Sequence, residues 1–301
     1  WYKLDLSAIV YPTLQRKDFS SVYRLSVSLK EEINPDILQQ AIDLSLTRFP
    51  TYKVSMRKGL FWRYLEPNNR KGPFVQEDIR NFCMPMHFHG NNRYLLRFYY
   101  YQNRISMEAH HSLGDGNGGM TVLNTITATY LRLKGHQISN GYSVFDIFEK
   151  PDPEELEDAY MRYADVKYKP PRNTEKAYLV RGTKEDFHTL NVINGVIPVS
   201  LYALMQKQQN GFHIRLRPVK IAMPINLRQF FPSKTLRNFI TMIYPSIDPR
   251  LGNYTFDEIV KHVHHYMHLY IEEKYLMGEM NTNAAAQKHP IARISPLFLK
   301  D

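Results

Sequence analysis

Glu108-Ala109-His110-His111-Ser112-Leu113-Gly114-Asp115-Gly116-Asn117-Gly118-Gly119 decides how the rest of the chain is to be read. Before it, the apolar-aromatic run Tyr94 to Tyr101 and the stretch Arg104 to His111 read as two strands joined at Gln102-Asn103. After it, Met120, Leu123, Ile126, Tyr130 and Leu133 recur at helical spacing, with a stop at Lys134-Gly135. The stretch is therefore a strand end, a tight turn and a helix start. His111 can take and return a proton near neutral pH without help. Asp115 is the carboxylate placed to organise the turn, and Gly114, Gly116, Gly118 and Gly119 allow close approach of backbone or ligand.

Outward from the turn, the 301 residues suffice for one large or two ordinary domains. Hydrophobic residues at 43% and charged residues at 23% fit a globular protein rather than a disordered one. The 21 Tyr and 16 Phe are a heavy aromatic load, so some Tyr are expected to line a cleft or an interface. No apolar run reaches the length of a membrane span, and no signal-type apolar region opens the chain. One cysteine, Cys83, excludes an internal disulfide and a cysteine-built zinc site. It fits a reducing, cytoplasmic compartment and reads as a small buried hydrophobe. The net charge of +10 permits an anionic partner. The basic residues are scattered and no nucleic-acid module is present; a phosphorylated cosubstrate fits the charge equally well, and charge alone does not choose between them.

Along the chain, Trp1 to Tyr11 reads as extended and Phe19 to Leu29 as a strand. Asn34-Pro35 is an N-cap followed by proline at the first helical position, opening a helix that ends near Phe49-Pro50. Thr51 to Met56 and Leu60 to Leu65 flank Lys58-Gly59 as a hairpin, and Asn68 to Gly72 is a polar loop. Glu154 to Ala164 is expected to be a short acidic helix and Lys167 to Arg172 a linker, which divides the chain into residues 1–169 and 170–301. Beyond it, Ala177 to Val180, Leu190 to Ile193, Lys220 to Ile225 and Phe239 to Tyr244 read as strands, and Phe256 to Met277 as one long helix.

His110-His111-Ser112-Leu113-Gly114-Asp115-Gly116 resembles the HHxxxDG signature of the chloramphenicol acetyltransferase-like superfamily, which includes alcohol acetyltransferases, plant BAHD acyltransferases and condensation domains. Met223-Pro224-Ile225-Asn226-Leu227-Arg228, continuing to Asn238-Phe239, is similar to a second-domain segment of bacterial alcohol acetyltransferase-like members. Trp1-Tyr2-Lys3-Leu4-Asp5 and Pro296 to Asp301 also resemble that subgroup. The resemblance implies an α/β fold of two domains with the active histidine at their interface. Relatives run further than this chain, so the second domain is expected to be incomplete. They also carry a helix, a turn and a second helix where Ser200 meets Leu201, so that junction reads as shortened.

The same resemblance implies O-acyl transfer, of acetyl or another short acyl group, from coenzyme A to a small alcohol. His111 would be the general base, with no serine or cysteine nucleophile and no bound cofactor or metal. Asp115 has two open roles: a cap on the helix that starts near Gly116, or, by family pattern, a salt bridge to Arg228. His110 is expected to pack behind the strand and Gly116 to serve turn geometry and clearance. Asn238 would donate to the oxyanion or orient the acceptor, unless it is a turn asparagine before a strand. A condensation-type reaction on a carrier protein and a non-catalytic binding relative are the alternatives. His264 and His268 have the i, i+4 spacing of a metal pair but lack the zincin glutamate, so a solvated helix surface is the better reading. His87 and His89 read as strand-alternation residues.

Overall fold

A computed structural model of the protein describes residues 1–15, 20–78, 81–164, 197–211 and 216–288. The expected strands at Ala177 to Val180 and Leu190 to Ile193, the linker, and the stretch from Pro296 to Asp301 lie outside the described residues. The chain forms two compact units. The first is Trp1–Val166 with Phe231–Phe239 and Asn283–Asp301, and the second is Lys167–Phe230 with Ile240–Thr282. Residues Phe231–Phe239 thus pack with the first unit, although they follow the second unit's residues in sequence.

In the first unit, β2 (Val22–Ser28), β5 (Val75–Glu77), β6 (Leu96–Tyr101) and β7 (Arg104–His110) form a sheet in the order β2-β7-β6-β5. Strand β7 is antiparallel to both neighbours, with Val22 opposite His110 and Leu96 opposite Ala109. A strand sends alternate side chains to opposite faces. One face of β7 presents Ile105, Met107 and Ala109 to the main core, shared with Val122, Leu123, Ile126 and Tyr130 of α3 (Gly116–Leu133). Leu38, Ala41 and Ile42 of α2 (Pro35–Ser45) fill the same core. The other face carries Ser106, Glu108 and His110, all buried. There the Glu108 carboxylate meets Arg97 at 3.0 Å and Arg24 at 3.4 Å, so the charge is buried with partners.

Local signals explain most boundaries here. Asn34 accepts the N–H groups of Asp36 and Ile37, and Pro35 opens α2. Gly135, at φ +93°, ends α3 with a conformation that other residues avoid. Strands β3 (Val54–Lys58) and β4 (Arg63–Pro67) make the hairpin around Lys58-Gly59, and β1 (Tyr2–Lys3) adds to its β4 edge. The expected helix from Glu154 to Ala164 is instead two single turns, Pro153–Leu156 and Tyr160–Tyr163. In the first of these Glu155 forms a buried two-point ion pair with Arg48, at 2.6 and 2.8 Å. His87 and His89 lie in a surface loop rather than a strand. Cys83 is only half-buried and takes a left-handed backbone, φ +55°, as its N–H turns to Glu108.

The second unit contains a 13-residue helix, Ile197–Gln209, which runs straight through the Ser200-Leu201 junction. Its Tyr202 meets Phe256 edge-on at the start of the helix Phe256–Tyr270. Lys220 to Ile225 is not one strand but two. Val219–Lys220 pairs with Ser246–Ile247, and Met223–Asn226 pairs with Ile240–Ile243. The expected long helix breaks at Ile271, whose ψ of 63° ends the first piece, and a second helix runs over Glu273–Lys288. His262, His265 and His268 are exposed on the first piece. Among the described residues, no helix is long and apolar enough to cross a membrane.

Candidate active site

Strand periodicity separates the two histidines. His110 falls on the face of Glu108, and His111 on the face of Ala109 and Tyr23, toward α3. His110 is fully buried, accepts the N–H of Ser112 at Nδ1 (3.2 Å) and meets Phe88 edge-on. His111 is half-buried at the strand end. Its imidazole stacks on Tyr11, with ring centres 4.7 Å apart, and lies tilted against Tyr23 at 4.6 Å. Its peptide groups are held on both sides. The N–H donates to the carbonyl of Ser21 (2.9 Å), and the carbonyl accepts from Nδ2 of Asn238 (2.9 Å).

Asp115 joins the turn to the distant segment 231–239. Its Oδ1 accepts the N–H groups of Asn117 and Gly118, both at 3.1 Å, as the N-cap of α3. Its Oδ2 accepts the N–H of Phe239 at 2.9 Å. The same segment reaches Tyr52, whose hydroxyl donates to the carbonyl of Leu236 (3.0 Å).

Close packing explains three of the four glycines. A Cβ on Gly118 would sit 2.0 Å from the Leu236 carbonyl oxygen, and one on Gly114 would sit 2.3 Å from the Tyr52 hydroxyl. One on Gly119 would sit 2.4 Å from the Tyr23 hydroxyl. Gly116 differs: it is exposed, and a Cβ there would meet nothing within 4 Å. Clearance of protein neighbours, the role expected of Gly116, belongs to Gly114, Gly118 and Gly119.

Burial controls the charge at this turn. It pulls the His111 imidazole down to about 4, against the opposing pull of the Asp115 carboxylate, and it pulls His110 down to about 3. Both rings are therefore neutral at physiological pH. Burial raises Tyr11 to about 12 and Tyr23 further still, so both hydroxyls keep their protons.

Asn238 is brought to His111, but not as an oxyanion donor. It is fully buried, and its Nδ2 already serves two acceptors, Oδ2 of Asp5 (3.0 Å) and the carbonyl of His111. A primary amide has two hydrogens, and both are engaged. Arg228 lies in the second unit, in the turn Leu227–Gln229, where its N–H and one Nη donate to Oδ1 of Asn226 at 3.2 Å. Sequence reading passed over Tyr11, Ser21, Tyr23, Tyr52 and Asp5 as site residues. The strand alternation that put Tyr23 level with Ala109 was the one available signal among them.

No family model matches the sequence. No curated protein matches it either. Solved structures do. Polyketide synthase associated protein 5 from Mycobacterium tuberculosis aligns with a TM-score of 0.57 at 15% identity, covering 93% of this chain and 75% of that one. TRI101 of F. sporotrichioides, solved with coenzyme A and T-2, aligns with a TM-score of 0.54 at 9% identity over 98% of this chain and 78% of its own. A variant of the starter condensation domain of rhizomide synthetase RzmA, solved with C8-CoA, aligns with a TM-score of 0.57 at 11% identity over 95% and 74%. Such low identities speak of architecture: the chain has the mixed α/β, chloramphenicol acetyltransferase-like fold that these structures share.

Proposed function

We propose that this protein is an O-acyltransferase that moves an acetyl or other short acyl group from acyl-CoA to a small alcohol, with His111 as general base. The observation that carries the proposal is the His111 imidazole: half-buried, neutral, and held by its own peptide groups beside Asp115. A neutral ring accepts the hydroxyl proton as the alcohol oxygen attacks the thioester carbonyl. The tetrahedral intermediate then collapses, the carbon–sulfur bond breaks, and the imidazolium returns the proton to the departing thiolate. Burial makes that imidazolium a stronger acid than an ordinary histidine, which favours the second transfer, and makes the neutral ring a correspondingly weaker base in the first. A positioned base contributes about 10²–10⁴-fold to the rate.

Coenzyme A is proposed as the donor's carrier because TRI101 and the condensation domain were solved with it or with C8-CoA. The single cysteine of the sequence supports a cytoplasmic setting. An ion pair of Arg228 with Asp115 remains part of the proposal, and a double-mutant cycle on the two residues tests it. A condensation-type reaction on a carrier-protein thioester is the second reading, supported by the fold likeness to a starter condensation domain. A non-catalytic relative that binds acyl chains is the third.

Thiol release from acetyl-CoA with a panel of alcohols separates these. Release that falls about 10²–10⁴-fold in His111→Ala, with circular dichroism unchanged, is the expected result. Release only from a carrier-bound thioester transfers the proposal to the second reading, and release from neither to the third.

A further inference from the structure

Three consecutive residues of segment 231–239 grip the site from behind. Arg237 Nε lies 3.6 Å from Oδ2 of Asp5, and its Nη2 donates to the carbonyl of Lys3. Asn238 gives its N–H (3.3 Å) and Nδ2 (3.0 Å) to the same Asp5 oxygen, and Nδ2 also to the carbonyl of His111. Phe239 gives its N–H to Asp115. Asp5 and Asn238 are fully buried, and Asp5 Oδ1 accepts the N–H of Ala8 at 2.7 Å. A carboxylate in such a place is costly, because burial opposes its charge. Apolar side chains replacing the whole polar network would fold there at no greater cost, whereas replacing Asp5 alone would strand the N–H of Ala8 and both donors of Asn238.

What Asp5 supplies instead is direction. It orients the Asn238 amide toward His111, and it fixes the turn at Ala8 that leads to Tyr11. Tyr11 stacks on the His111 ring, and its carbonyl accepts from the Ser21 hydroxyl. Ser21 holds a left-handed φ of +49° while its own carbonyl takes the His111 N–H. Both peptide groups and one ring face of His111 are thus governed by a network anchored on Asp5 and Ser21.

We infer that Asn238, oriented by Asp5, is a positioning residue for His111, fixing its carbonyl and so the place of the imidazole between Tyr11 and Tyr23. The inference rests on His111 being the base, but the clamp has a readout of its own. The titratable groups that bear on the ring, Asp115, Tyr11 and Tyr23, are unsubstituted in the variants used.

The test is Asn238→Ala and Asp5→Asn in the full chain, with the His111 imidazole titrated by NMR and assigned by its loss in His111→Gln. A released ring moves toward solvent, so its titration midpoint is expected to rise toward the ordinary histidine range, more in Asn238→Ala than in Asp5→Asn. If thiol release is present in the wild type, kcat should fall about ten- to a hundredfold while KM for the acyl donor stays within about twofold. Tyr163→Phe removes a different anchor of the segment, its bond to the Pro232 carbonyl, and should leave both readouts where they were. Should Asn238→Ala fail to fold, Asp5→Asn decides on the same measurements. An unmoved titration in the folded variants overturns the inference. A wild type without thiol release, but with a titration that responds, overturns the base assignment and leaves the clamp standing.

Discussion

The two sides of the turn at Gly114–Gly119 are built to opposite rules. On the packed side, Gly114, Gly118 and Gly119 lie against Tyr52, Leu236 and Tyr23 with no room for a methyl group. On the open side, Gly116 is exposed and faces empty space. One residue type thus serves two purposes within six positions: close approach of backbone in one case, an unobstructed surface in the other. The packed side holds the turn in shape, and the open side is left to solvent.

Substitutions that fill the packed side should have the largest effect. Gly118→Ala drives a Cβ into the Leu236 carbonyl, a backbone atom that cannot swing away. A loss of about 3 kcal/mol or more is expected in denaturant unfolding, at the top of the overpacking range. Asp115→Ala comes next. It removes the cap of α3, about 1 kcal/mol, and strands the buried N–H of Phe239, about 1–3 kcal/mol. Unfolding midpoints in urea check both, and a Gly118→Ala protein as stable as wild type would dissolve the contrast between the two sides.

Acid should loosen the same region. His110 and His111 have folded values near 3 and 4, below the unfolded value of 6.5, so the unfolded chain binds more protons between those limits. Their contribution to stability is complete above about pH 6.5 and is lost as the pH falls toward 4. For His111 it is on the order of 3 kcal/mol before solvent screening of this half-buried ring is discounted. Burial raises Asp158, to about 6, and Asp5, which acts in the opposite sense over part of that window. The difference between wild type and His111→Gln cancels the carboxylates, and it should shrink steadily from pH 7 to pH 4. The smallest effect belongs to the open side. Gly116→Ala should change stability by no more than about 0.5 kcal/mol, and a large loss there would mean that the glycine serves the fold after all.

Local structure around the turn was legible in the sequence because its signals are local. Asn34-Pro35, Lys58-Gly59 and Lys134-Gly135 each carry their own punctuation, and Asp115 stands where a cap must stand. What escaped reading is long-range. Asp5 and Asn238 are 233 positions apart, and nothing in either neighbourhood announces the other. The oxyanion role expected of Asn238 failed for that reason, since its hydrogens were committed to a partner the sequence does not reveal. The break at Ile271 carries no glycine or proline, and the helical pattern runs across it unbroken. The division of residues 219–226 between two strand partners is a matter of pairing, which a one-dimensional pattern does not record.

The return of Phe231–Phe239 to the first unit has a consequence for how the protein is made. A nascent chain that has passed the helix start at Asp115 still lacks Phe239, and at ordinary translation rates roughly ten seconds pass before that residue is joined. Until then the carboxylate lacks the N–H of Phe239, and Tyr52 has no carbonyl from Leu236 to meet. The histidine is thus synthesised early but assembled late, and a ribosome that stalls midway releases a chain with the signature intact and the site unbuilt.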